Sequence, residues 1–70
     1  MEIIEISTEY IKLDQFLKWV NIVGSGVEAK FLIKEGQVKV NKEVELRRGK
    51  KLRDEDIIEI DKNIYKIKRV

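Results

Sequence analysis

The sequence predicts an α+β fold, with two short helices packed on a small antiparallel sheet, in one domain spanning residues 1–70. Two observations carry that expectation. Apolar residues recur first at helical spacing and then at the two-residue spacing of strands. Gly, Ser and Asn stand where one pattern gives way to the next.

The elements follow in order. Glu2-Ile3-Ile4-Glu5-Ile6 is apolar and β-branched and reads as a short strand. Leu13, Phe16, Leu17 and Val20 fall at i, i+3, i+4 and i+7, which predicts an amphipathic helix over about residues 12–21. Val23-Gly24-Ser25-Gly26 interrupts that pattern. Ser25 with Glu28 has the spacing of a capping box. A second helix should therefore begin there, turn Ala29, Leu32 and Ile33 inward, and end at Gly36 in a left-handed C-cap. Val38 and Val40 then alternate with polar neighbours, Asn41-Lys42 has the form of a tight turn, and Val44 and Leu46 continue the alternation. Arg47 to Lys51 is a polar loop around Gly49. Ile57, Ile58 and Ile60 form another strand, Asp61-Lys62-Asn63 a turn, and Ile64 to Val70 the last strand. Alternation should bury Val38, Val40, Leu46, Ile57 and Ile60.

Composition narrows the chemistry. At 43% hydrophobic and 40% charged residues, the chain can form a core and coat it, which a disordered segment cannot. It has no cysteine and no histidine, so thiolate or imidazole metal sites and the commonest general base are missing. Neither a cofactor nor a metal is expected. The acidic cluster Asp54, Glu55, Asp56, Glu59 and Asp61 reads as turn residues and the outer face of a strand, not as an acid–base pair or a magnesium site. No glycine-rich phosphate loop or nucleophile elbow accompanies it. The chain is thus expected not to be an enzyme and to have no small-molecule substrate. No apolar run approaches the ~20 residues of a membrane span, and the N-terminus lacks a signal-peptide core. A cytoplasmic monomer without a membrane partner is the expectation.

The net charge of +2 conceals segregation. Residues 1–11 carry three glutamates and no base, and residues 54–61 five acids and no base. The bases concentrate between them, most densely in Arg47-Arg48-Gly49-Lys50-Lys51 with Arg53 following. Phosphate binding needs several cations at close spacing, and arginine adds a planar fork that holds phosphate through two hydrogen bonds. The competing reading is a solvated loop that aids solubility. Lys30 and Lys34 share one face of the second helix, a like-charge pair that an anionic partner would relieve. Lys12, Gln15 and Trp19 flank the apolar stripe of the first helix. Trp19 and Phe31 fall off the main stripes. They could stack on unpaired bases, but packing against a terminal strand is the preferred expectation, since a small domain needs their area.

With those residues in view, the chain resembles the S-four RNA-binding domain, named for small-subunit ribosomal protein four and known for its alpha-L RNA-binding motif. The matching residues are Lys12-Leu13-Asp14, Leu17, Ser25, Ala29, Leu32-Ile33, Gly36-Gln37-Val38-Lys39-Val40-Asn41 and Asp56-Ile57-Ile58. They run in order at compatible spacing across about residues 12–60. The Gly-x-Val-x-Val-Asn stretch is the specific part. There are departures: Gly26 stands where the family has an arginine, Lys42 where it has the turn glycine, and Glu55 where it has the glycine before Asp56. Ser25-Gly26-x-x-Ala29-Lys30 and the 47–51 loop look like a free-standing bacterial branch of the family, the YaaA type.

The resemblance implies binding to structured RNA, in particular ribosomal RNA or a ribosomal subunit, with a role in ribosome assembly. Carried over by position, it points to Lys12, Gln15, Ser25, Gly26, Lys30 and Asn41 as RNA-binding residues. Charge and placement add Lys18, Lys34, Arg47, Arg48, Lys50 and Lys51. A-form RNA offers phosphates and 2′-hydroxyls across a shallow minor groove, so shape is the expected target. Two rivals stay open: a DNA-binding helix-turn-helix module with a basic wing at 47–53, and a protein-interaction module without nucleic acid.

Overall fold

The computed structural model describes all of residues 1–70. The elements are β1 (Glu2–Ile6), β2 (Ile11–Lys12), α1 (Leu13–Trp19), α2 (Gly26–Lys34), β3 (Val38–Val40), β4 (Glu43–Val44), β5 (Lys51–Leu52), β6 (Ile57–Ile60) and β7 (Asn63–Arg69). They form a five-stranded sheet in the order β1-β7-β6-β3-β4 and a separate two-stranded pair, β2-β5. The α+β architecture is the expected one. The sheet itself is mixed, because β1 lies parallel to β7 while the other neighbours are antiparallel. Hydrophobic pattern alone does not distinguish the two senses for an edge strand.

Both helices close by the same device. After α1, Asn21 adopts φ 62, its N–H donates to Lys18 C=O and the N–H of Ile22 to Leu17 C=O. After α2, Gly36 adopts φ 74, its N–H donates to Ile33 C=O and the N–H of Gln37 to Leu32 C=O. These are Schellman closures, which need a residue tolerant of the left-handed region at the first non-helical position. The expected α2 cap is present in half: Ser25 Oγ accepts from the Glu28 N–H at 3.2 Å, and no hydrogen bond returns from the Glu28 carboxylate.

The helices bury Leu13, Phe16, Leu17, Ala29 and Ile33 against Val38, Ile58, Tyr65 and Ile67 of the sheet. Phe16 and Tyr65 meet edge to face, with centroids 5.4 Å apart and planes at 82°. Fully burying a side chain such as Phe16 contributes about 1.5–3 kcal/mol. Val38, Val40 and Ile60 are buried as expected, Ile57 is half-buried, and Leu46 is 60% exposed. Leu46 fails because β4 ends at Val44. The Glu45 N–H still donates to Val38 C=O, but the chain then leaves the sheet and alternation loses its meaning. Trp19 and Phe31 are 54% and 61% exposed, so neither packs away its area as expected.

Candidate nucleic-acid interface

The interface is built around the start of α1. Lys12 occupies the N-cap in extended conformation and offers no side-chain cap. The orphan amides are satisfied from elsewhere: Leu13 N–H donates to Lys50 C=O at 2.8 Å and Asp14 N–H to Arg48 C=O at 3.0 Å. The basic loop is therefore fastened to the helix by its backbone, and the side chains of Arg48 and Lys50 take no part in the fastening. Gly49 is not in the left-handed region, and a Cβ there would meet open space, so the loop does not depend on a glycine for its bend.

The β2–β5 pair, which the sequence reading missed, completes the fastening. Ile11 faces Leu52 and Lys12 faces Lys51. Leu52 is buried and Ile11 half-buried, while both lysines are exposed. Two adjacent cations from distant parts of the chain are thus set on one outward face. Each strand is two residues long, too short for alternation to announce it. Arg47, Gly49, Lys50, Lys51 and Arg53 line a shallow concavity of about 510 Å³ with no apolar wall.

Tyr10 is a further participant that sequence reasoning missed. Lys51 Nζ lies 4.9 Å from its ring centroid and Arg53 Cζ 5.4 Å. The ring quadrupole attracts both cations and narrows where they can point. Arg53 also pairs with Glu9 at 3.4 Å. The signal in the sequence was Tyr10-Ile11-Lys12, polar-faced residues alternating about an isoleucine.

Within the cluster the cations are not equally available. The Arg47 guanidinium grips Glu45 through Nε at 3.0 Å and Nη2 at 3.3 Å, and its backbone N–H donates to the same carboxylate. That hydrogen bonding holds the Glu45 carboxyl below its ordinary range and raises Arg47 further. A phosphate must compete with Glu45 for this fork. Arg48, Lys50, Lys51 and Lys12 have no carboxylate partner.

The remaining expected residues divide. Gln15 and Lys18 are exposed on α1. Lys30 and Lys34 are exposed on α2, on one stripe with Val27 and Phe31, and α2 packs against α1. The Ser25 hydroxyl oxygen already accepts the Glu28 amide, and Gly26 has open space where a Cβ would stand. Asn41 is committed to the scaffold: Nδ2 donates to Asp56 Oδ1 and Oδ1 accepts from Ile57 N–H, both at 3.0 Å. The acidic cluster does comparable work. Asp56 Oδ2 accepts from Arg53 N–H at 2.8 Å and Asp54 Oδ1 from Arg69 N–H at 2.7 Å.

The family described as "S4 domain" matches residues 4–68. A curated protein of Bacillus subtilis (strain 168), "Probable ribosome maturation protein RlbA", is 47% identical over 58 residues, covering 83% of this chain and 82% of that protein. The family match runs from β1 to β7 through both helices and the loop fastened to α1, and this chain therefore belongs to the S4 domain family.

Proposed function

We propose that this protein binds structured ribosomal RNA during ribosome maturation, as a non-catalytic module, through a basic face made by α1, α2 and the 47–51 loop. The observation that carries the reading is the groove at the start of α1, where Lys50, Lys51 and Arg53 are gathered with Lys12 alongside and the backbone is already fixed. A pre-fixed cluster loses little conformational freedom on meeting a row of phosphates. Membership in the S4 domain family and similarity to a ribosome maturation protein support the same partner.

Lys12 at the N-cap of α1 stands beside the groove through its pairing with Lys51, and the exposed Gln15 and Lys18 on α1 and Lys30 and Lys34 on α2 extend the proposed surface. Gly26, the first residue of α2 after its N-cap Ser25, has open space beside it and leaves room for close backbone approach. Arg47 contributes once a phosphate displaces Glu45. With cations spread over two helices and a loop, the surface suits the shape of a folded RNA better than a base sequence.

The test is titration of folded ribosomal RNA fragments over a range of salt, with duplex DNA as competitor. Contact with about four to six phosphates gives a slope of about −3 to −5 in log affinity against log salt. A flat salt response, or duplex DNA competing on equal terms, would overturn the proposal.

A further inference from the structure

The basic loop sits at the N-terminal end of α1, and beside the C-terminal end of the same helix lies a groove whose charged residues are acidic. There Trp19 and Val20 stand across a shallow groove of about 460 Å³ from Glu2, Ile3 and Glu5 of β1. Glu2 and Glu5 are the groove's charged residues. Ile3 is 53% exposed and Trp19 is more than half exposed, so the groove holds apolar area as well as charge.

β1 is also an open sheet edge. It pairs with β7 on one side and with no strand on the other. The Val70 N–H donates to Ile6 C=O at 2.9 Å, which turns the Ile6 backbone toward the β7 side. By alternation the backbone groups of Ile4 and Glu2 turn the same way, and the N–H and C=O of Ile3 and Glu5 face outward. Those groups are a template for an incoming strand. The opposite edge, β4, is only two residues long, whereas β1 has five. Edges are usually blunted by lysine, proline or a bulge. β1 has neither lysine nor proline and carries glutamates instead.

Those glutamates select the occupant. A second copy pairing edge to edge would set the glutamates of both chains along one shared seam with no cation between them, which is unfavourable. RNA phosphates would be repelled from the same carboxylates. A basic polypeptide in extended form meets every feature: outward amides and carbonyls for its backbone, carboxylates on both faces for its cations, and Ile4 with Trp19 for an apolar residue. We propose that the β1 edge and the Trp19 groove form a docking site for an extended, lysine- or arginine-rich segment of a partner protein, added as a further strand beside β1. The site lies at the far end of α1 from the basic loop.

The test uses the full chain and a short blocked peptide of lysine and valine, patterned so that a lysine falls on each face of the added strand. Trp19 is the chain's one tryptophan, so its fluorescence reports the groove directly, and the amide signals of Ile3 and Glu5 report the edge. The expected result is a saturable shift of all three probes. The same peptide methylated on every second backbone nitrogen should leave them unmoved, because it keeps its charge and loses its strand pairing. Glu2→Gln with Glu5→Gln should weaken binding by about three- to tenfold, two rim charge pairs being lost. Three results would each overturn the proposal: no shift at Ile3 and Glu5; equal binding of the methylated peptide; or a response of those amides to RNA or to the protein's own concentration instead.

Discussion

Asn41 and Asp56, 15 residues apart in sequence, are joined by a 3.0 Å hydrogen bond from the carboxamide to the carboxylate. Each side chain has a second partner, Asn41 the amide of Ile57 and Asp56 the amide of Arg53. The β3–β4 turn is thereby tied to the start of β6. Asn41→Gly keeps the left-handed φ of 52 and deletes the carboxamide. It should lower the unfolding free energy by about 1–2 kcal/mol in urea denaturation. Asn41→Ala should cost about 1 kcal/mol more, because alanine resists that φ. Equal stability of all three proteins would show the tie to be idle.

The neighbouring Lys42 gives a prediction of opposite sign. It holds φ 72 in a two-residue turn where Val40 pairs with Glu43, a position that favours glycine. Lys42→Gly should raise stability by about 0.5–1 kcal/mol, the relief of strain exceeding the added freedom of the unfolded chain. Thermal denaturation of the variant decides this, and a lower midpoint would refute it.

Much of this was legible in the sequence. The helix stripes, Ser25, Gly36 and the Asn41-Lys42 turn were readable because each is local, a periodicity or a backbone preference within a few residues. The parallel sense of β1, the β2–β5 pair and the exposure of Leu46 were not, because they depend on partners far along the chain. The same division holds at the candidate site. The density of Arg47, Arg48, Lys50 and Lys51 announced the loop, but only the fold brings Lys12 beside Lys51 and Tyr10 beneath Lys51 and Arg53. The partnership of Asn41 with Asp56 was equally invisible to spacing.

The loop separates folding from binding. Arg48 and Lys50 cap α1 with backbone carbonyls, which any residue supplies. Replacing Arg47, Arg48, Lys50 and Lys51 with Ser should therefore change stability by no more than about 0.5–1 kcal/mol, the upper part reflecting the lost Arg47–Glu45 pair. The same variant should lose most of its RNA affinity, and its salt slope should flatten by about 3. Circular dichroism and RNA titration on one sample test both halves. Full affinity in a folded variant would reduce the loop to a soluble turn.

Tyr10 offers a finer probe. Tyr10→Phe keeps the ring beneath Lys51 and Arg53 and should bind RNA as the parent does. Tyr10→Leu removes the ring but leaves every cation in place. It should weaken binding by about two- to fivefold, the value of one or two exposed cation–π contacts, with the salt slope unchanged. Identical affinities for Phe and Leu variants would show that the ring does not guide the cations.

Glu55 should contribute to the acid limb of the stability profile, by an amount that solvent screening keeps small. Hydrogen bonds and charge from Lys66 and Lys68, at 2.8 and 2.9 Å, pull its pKa down to about 2. A carboxyl whose folded pKa is depressed stabilises the fold fully above its unfolded pKa, about 4.3 for Glu. That contribution fades as pH falls toward the folded value. Stability curves of the parent and Glu55→Gln should therefore converge between about pH 4.5 and 2. Carboxyl NMR of Glu55 showing an ordinary midpoint would contradict this. Here the family's glycine is replaced by a residue at φ 75, and the two lysine pairs help offset its strain.

The position of β7 bears on how the protein comes into being. It is the last strand of the chain, yet it lies inside the sheet, between β1 and β6. During synthesis β1 emerges first and must wait, unpaired, for a neighbour encoded some sixty residues later, as the pairing of Glu2 with Tyr65 records. β3, β4 and β6 can pair as they emerge, but β1 joins them only through β7, across the widest sequence separation of any strand pair. Until β7 is present, α1 lacks Ile67 and also Tyr65, the part of its cover that meets Phe16 edge to face.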